Sequence, residues 1–120
     1  MRQAKDYLEA LAREEGVDFA MVVSRDGFII EMEAARAPEL DPETIGAAVS
    51  TFWATADRMG IDLGAGQGLN GMFEFKDAVV ATSLMAQNDL ILTVAADRRT
   101  NPATIRYLTT RFSQLLEQVL

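Results

Sequence analysis

Hydrophobic and polar residues follow two different periods along the chain, and each change of period marks a new element. Apolar residues three and four apart indicate helices, whereas alternating or continuously apolar short stretches indicate strands. The pattern predicts the order helix, two strands, helix, three strands, helix. The predicted bounds are Arg2–Glu15, Asp18–Ser24, Phe28–Met32, Asp41–Gly60, Asn70–Lys76, Ala78–Ala86, Leu90–Ala96 and Asn101–Leu120.

Capping and turn residues support these bounds. Asp41 and Asn101 are each followed by proline, which is typical of the first residues of a helix. Gly16 and Gly60 are placed to end the first and second helices. Gly27 supplies the turn of a hairpin between the first two strands, where Phe28, Ile30 and Met32 are expected to share one face.

Five glycines between positions 60 and 71 form the most glycine-rich stretch of the chain. A Walker-type phosphate-binding loop needs Lys and then Ser or Thr, followed by a helix, and a dinucleotide-binding loop needs a strand before it and a helix after it. Here a helix precedes the stretch and a strand follows it. A flexible connector is therefore the favoured interpretation.

The fourth and fifth strands are apolar on both faces, which predicts helices on both sides of the sheet. Short turns between neighbouring strands require antiparallel pairing. The predicted fold is a three-layer α/β (α+β) single domain over residues 1–120, with a five-stranded, mostly antiparallel sheet. The second helix is expected alone on one face, and the other two helices on the opposite face.

The second helix carries two contrasting faces. At about 100° per residue, its core face is predicted to hold Ile45, Ala48, Val49, Phe52, Ala56 and Met59. A second face of mostly small residues is expected to meet another molecule, although a solvent-exposed face without a partner is the alternative. The residues predicted to make contacts to a second copy or another partner are Ala47, Ser50, Thr51, Trp53, Ala54 and Arg58.

For two of these residues the sequence leaves two roles open. Trp53 lies on the flank of the helix, so it belongs either to the edge of the core or to an interface, where tryptophan is enriched. Arg58 forms either a salt bridge within a dimer or a contact to a different partner.

Composition excludes several chemistries. The chain has no histidine and no cysteine, which removes Ser/His/Asp and Cys/His catalysis and zinc–cysteine sites. No residue is singled out as catalytic, and no metal or cofactor is predicted. The absence of cysteine fits a reducing cytoplasm, and no stretch resembles a secretion signal or a membrane-spanning helix.

The net charge of −7 argues against non-specific nucleic-acid binding. The charge is uneven, because residues 98–120 carry four arginines and one glutamate. This basic segment is either a solvated helix face or a contact for an acidic partner surface.

Three stretches together resemble a known family: VVSRDGFII, DPETIGAAVSTFWATADRMG and FEFKDAVVATSLMAQNDLILTVAADRRTN. The chain is similar over essentially its whole length to the roadblock/dynein light chain family, and most of all to its bacterial MglB-type branch. The resemblance implies the element order given above. It also implies a homodimer that pairs second helices side by side and joins sheets through the third strand, here through Met72, Glu74 and their backbone.

The resemblance further implies a function. Members of the family scaffold or regulate small Ras-like GTPases without being enzymes, and MglB-type dimers stimulate GTP hydrolysis by the partner without inserting an arginine finger. We therefore expect a cytoplasmic, homodimeric GTPase regulator. A dimeric adaptor that leaves nucleotide turnover unchanged is the main alternative, and a small-molecule sensor domain is a third.

Overall fold

Three helices and five strands follow one another in the predicted order. The computed structural model describes residues 3–120, so Arg2, where the first helix is predicted to begin, lies outside the described residues. The elements are α1 (Ala4–Ala12), β1 (Val17–Ser24), β2 (Ile29–Glu33), α2 (Pro42–Leu63), β3 (Asn70–Glu74), β4 (Ala78–Met85), β5 (Leu90–Asp97) and α3 (Pro102–Glu117).

The five strands form one antiparallel sheet in the order β2-β1-β5-β4-β3. Every residue of β4 and almost every residue of β5 is buried, as the continuous apolar stretches predict. The two outermost strands are β2 and β3. The predicted antiparallel, two-sided sheet is therefore confirmed.

The sheet lies between two apolar layers. On one face, side chains of α1 and α3 such as Leu11, Ile105 and Leu116 pack against β1, β4 and β5. On the other face, Val49 and Trp53 of α2 pack against the same strands. The prediction that α2 covers one face alone is confirmed.

Helix α2 begins where its cap predicts. The Asp41 carboxylate accepts hydrogen bonds from the Glu43 amide (3.3 Å) and the Thr44 hydroxyl (2.6 Å). The bond from Thr44 is the main cause that lowers the pKa of Asp41 below its usual value. The bond from the Glu43 amide satisfies one of the backbone N–H groups in the first turn that have no partner within the helix.

The predicted end of α2 at Gly60 is wrong. The helix continues to Leu63 and ends at Gly64, which adopts a left-handed conformation with φ of 65°. Gly60 is buried inside the helix because the connector folds back over it, and a Cβ atom there would collide with the carbonyl oxygen of Gly66. Close backbone approach, and not helix termination, explains this glycine.

The predicted face of β2 is also wrong. The pairing of β2 with β1 shifts at one point, where Val22 lies opposite Glu31 and Val23 lies opposite Ile29, so Ile30 has no opposite residue. Such a bulge moves the residues beyond it to the other face of the strand. Ile29 and Met32 therefore pack beneath α2, and Phe28 and Ile30 are exposed.

Candidate interaction surface

A group of contacts holds α2 against the tip of the β1–β2 hairpin. The Ser50 hydroxyl donates a hydrogen bond to the carbonyl oxygen of Arg25 (2.7 Å). The Arg25 guanidinium bonds to Asp57 (2.7 Å) and to Asp89 in the β4–β5 turn (2.9 Å). One arginine thus links the hairpin, the helix and a second turn, which fixes the face that α2 turns outward.

Trp53 lies in the core and not on the outward face. Its side chain is 1% exposed, and its indole Nε1 donates a hydrogen bond to Thr82 Oγ1 on β4 (3.2 Å). The Arg25 guanidinium lies 5.6 Å from the centre of its ring. The structure therefore supports the alternative in which Trp53 belongs to the core. Trp53 is no longer counted among the predicted contact residues.

Trp53 is buried because α2 is rotated about its own axis relative to the orientation predicted from the sequence. The buried residues of α2 are Gly46, Val49, Trp53 and Gly60, so the buried face is turned by somewhat less than one residue step of about 100° from the predicted one. Ala48 and Met59, which were predicted in the core, are exposed as a result.

The remaining predicted contact residues lie on the surface. Ala47, Thr51, Ala54 and Arg58 are exposed, and Ser50 is half-buried by its bond to the hairpin. Arg58 forms an ion pair with Asp62 one turn along α2 (3.2 Å). An exposed pair of this kind contributes little to stability, so Arg58 remains able to exchange Asp62 for an external carboxylate.

An exposed apolar flank, which the sequence pattern did not single out, borders this face. On α2, Met59 and Leu63 are 57% and 71% exposed. On β3, Phe73 and the adjoining Phe75 are 40% and 55% exposed, and the Phe73 ring contacts Phe52 of α2 edge to face, 4.7 Å between centres. A protein rarely leaves such a group of large side chains uncovered unless another molecule packs on it.

Strand β3 adds an open edge to this surface. The Phe75 amide bonds to Ala78 and the Leu69 carbonyl accepts from Leu84, so the residues of odd number face β4. In an antiparallel pair the direction of these groups alternates. The backbone N–H and C=O groups of Asn70, Met72 and Glu74 therefore point away from the sheet, as predicted contacts to a second sheet require.

Arg99, which follows β5, is bonded to a neighbouring carboxylate of the same chain. The Arg99 side chain bonds to both carboxylate oxygens of Asp97, and its amide also bonds to Asp97 (2.8 Å). The hydrogen bond from the Arg99 side chain is the main cause that lowers the pKa of Asp97 to about 2. The Arg99 side chain is thus held by its neighbour Asp97.

Within residues 3–120, no group of three or more acidic side chains is arranged to hold a metal ion. No described helix is both long enough and apolar enough to cross a membrane.

Together these features define a three-layer α/β domain with an uncovered helix face, an apolar flank and an open strand edge. Residues 3–96 match the Roadblock/LC7 domain, so the chain belongs to the Roadblock/LC7 family. The recognition made from the sequence is confirmed.

Similar proteins come from Methanocaldococcus jannaschii and Thermus thermophilus. An uncharacterized protein of Methanocaldococcus jannaschii is 29% identical over 108 residues, covering 89% of this chain and 90% of its own length. A solved structure of MglB with a tetrameric arrangement is 19% identical with a TM-score of 0.86, covering 97% of this chain and 86% of that one. The gliding protein MglB of Thermus thermophilus is 19% identical with a TM-score of 0.85, covering 97% of this chain and 87% of that one. At this identity the two structures establish a shared fold.

Proposed function

We propose that this protein is a homodimeric, non-enzymatic regulator of a small Ras-like GTPase in the cytoplasm. The observation that carries the proposal is the uncovered face of α2 with its apolar flank, in a chain that belongs to the Roadblock/LC7 family. The resemblance to MglB-type proteins supplies the class of partner.

The surface has room for two kinds of contact. The apolar flank adjoins the open edge of β3, which suits a second copy of the chain. The small residues Ala47, Thr51 and Ala54 permit close approach of another backbone, and Arg58 adds an exposed charge. In this proposal, the surface formed by the two α2 helices of the dimer binds the GTPase.

The finer form of the proposal is that the dimer stimulates GTP hydrolysis without an arginine finger. An arginine finger works by stabilising the charge on the transferring phosphoryl group. The resemblance to MglB-type proteins supports a mode without such a residue, in which the dimer acts by positioning the partner's own catalytic groups.

The test is single-turnover GTP hydrolysis by a small GTPase encoded beside this protein, with and without a stoichiometric amount of it. Stimulation by the wild type and its loss in Ala54→Arg are expected, because a long charged side chain blocks the small-residue face. Ala37→Arg, in an exposed loop outside this face, is the matched control.

Binding without any change in hydrolysis would favour the adaptor alternative and refute stimulation. If Ala54→Arg leaves both self-association and GTPase binding unchanged, the assignment of the α2 face is wrong.

A further inference from the structure

A groove runs beside β3 on the face of the sheet that α3 covers. One cavity of about 620 Å³ is bordered by Met72 and Glu74 of β3 and by Arg106 and Tyr107 of α3. A second cavity of about 230 Å³ continues toward Asn70 and shares Met72 and Arg106 with the first. Arg106 therefore lies beside the middle of the strand, within reach of both ends of the groove.

The groove is bordered by two opposite charges, Arg106 and Glu74, that form no ion pair with each other. Arg106 forms no ion pair with any described residue, and Glu74 forms none either. Both side chains belong to exposed residues. An occupant that brings a carboxylate to Arg106 and a cation to Glu74 would match the groove.

A second copy of this chain has that chemistry. A two-fold axis through the edge of β3 makes the contact self-complementary, so each copy offers its own Glu74 to the other and receives one in return. The chain carries a net charge of −7, and a trans ion pair on each side offsets part of the repulsion between two acidic copies.

The register of such a pair follows from the outward residues. Two identical strands that pair antiparallel about a two-fold axis can be centred on any one residue of β3. Only the register centred on Met72 pairs all three outward residues, because Met72 then lies opposite Met72 and Asn70 opposite Glu74. The partner's carboxylate thus enters beside Asn70, in the cavity that Arg106 also borders.

We propose that two copies of this chain pair through β3 with Met72 opposite Met72, and that Glu74 of each copy forms an ion pair with Arg106 of the other. The inference rests on the proposed homodimer. It adds the register of the joined sheets and a residue on α3 that selects this register.

The register is tested by single-cysteine cross-linking, since the natural chain contains no cysteine. In the proposed pairing the two Met72 Cα atoms lie about 5.5 Å apart, within the range that a disulfide spans. Met72→Cys should therefore form a disulfide-linked dimer under mild oxidation. Glu74→Cys alone should not, because four residues of strand separate the two positions by about 13 Å, but it should cross-link to Asn70→Cys when the two are mixed.

The ion pair is tested by charge exchange, with dimer dissociation measured by sedimentation equilibrium. Arg106→Glu and Glu74→Arg should each raise the dissociation constant about tenfold or more, because each places like charges together. The double variant should return it to within about threefold of wild type. Arg111→Glu and Glu14→Arg change the net charge equally at exposed sites outside the groove, and both should leave the dimer intact.

The outcomes separate the two proposals. A monomeric wild type overturns the homodimer itself. A dimeric wild type in which the charge variants behave like their controls, or in which Glu74→Cys cross-links to itself more readily than Met72→Cys, overturns this inference and leaves the homodimer standing.

Discussion

Replacing Trp53 with phenylalanine tests whether this side chain belongs to the core. Trp53 is almost completely buried and donates a hydrogen bond to Thr82. Its six-membered ring also lies against Gly68, where a Cβ atom would come within 3.1 Å of the indole. Phenylalanine keeps an aromatic ring at the site but removes the N–H donor and leaves a void.

The expected loss of stability has two parts. Loss of a buried hydrogen bond costs about 1 kcal/mol. The void left by the smaller ring costs a further 1–2 kcal/mol, roughly, for a core that relaxes only in part. The free energy of unfolding should therefore fall by about 2–3 kcal/mol, and the melting temperature by about 10 °C for a domain of this size.

The assay is urea denaturation followed by circular dichroism, because Trp53 is the only tryptophan and the variant has no indole fluorescence. All samples are compared at one protein concentration, since self-association would raise the apparent stability. Thr82→Val and the double variant complete a double-mutant cycle on the free energy of unfolding. The interaction free energy expected for the Trp53–Thr82 hydrogen bond is about 1 kcal/mol.

One result would refute the reasoning. If Trp53→Phe leaves the free energy of unfolding unchanged but weakens self-association, Trp53 is an interface residue and its placement in the core is wrong.

Three further predictions follow from individual contacts. Gly46→Ala should lower the free energy of unfolding by about 1–3 kcal/mol in thermal melts, because its Cβ would lie 2.8 Å from the Gly27 carbonyl oxygen. Arg99→Ala should raise the pKa of Asp97 from about 2 toward 3.8 in a carbon-13 NMR titration. A lowered pKa stabilises the fold above pH 3.8 and this contribution is lost as the pH falls toward 2, so the variant should lose that acid dependence. Phe75→Asp should raise the dimer dissociation constant about tenfold without lowering the melting temperature of the monomer, and an unchanged constant would show that the apolar flank is not covered.

Much of the fold could be predicted from local patterns. Asp41 and Asn101 cap helices where their following prolines indicate, because a cap acts through bonds within one turn. The continuous apolar stretches of β4 and β5 predict burial on both faces, because a strand with apolar side chains on both faces is stable only when both are covered. These signals involve only near neighbours in the chain.

The candidate surface was predicted only in part. Ala47, Thr51, Ala54 and Arg58 are exposed as expected, whereas the exposure of Phe73 and Phe75 was missed. A phenylalanine in an alternating strand is ordinarily taken as buried. Its exposure here depends on β3 being the last strand of the sheet, which is a property of topology and not of the strand itself.

The sequence by itself determined the order of the elements, the capped starts of α2 and α3 and the two-sided sheet, because these depend on periodicity and on contacts within a few residues. Tertiary structure alone decided which face of α2 is buried, why Gly60 is a glycine and why Phe73 and Phe75 are exposed. Periodicity gives the angles between residues of a helix but not its rotation against the sheet. Apolar and small residues occupy most of the circumference of α2, so that rotation was set by the close fit of Gly46 on Gly27 and by the reach of Trp53 to Thr82.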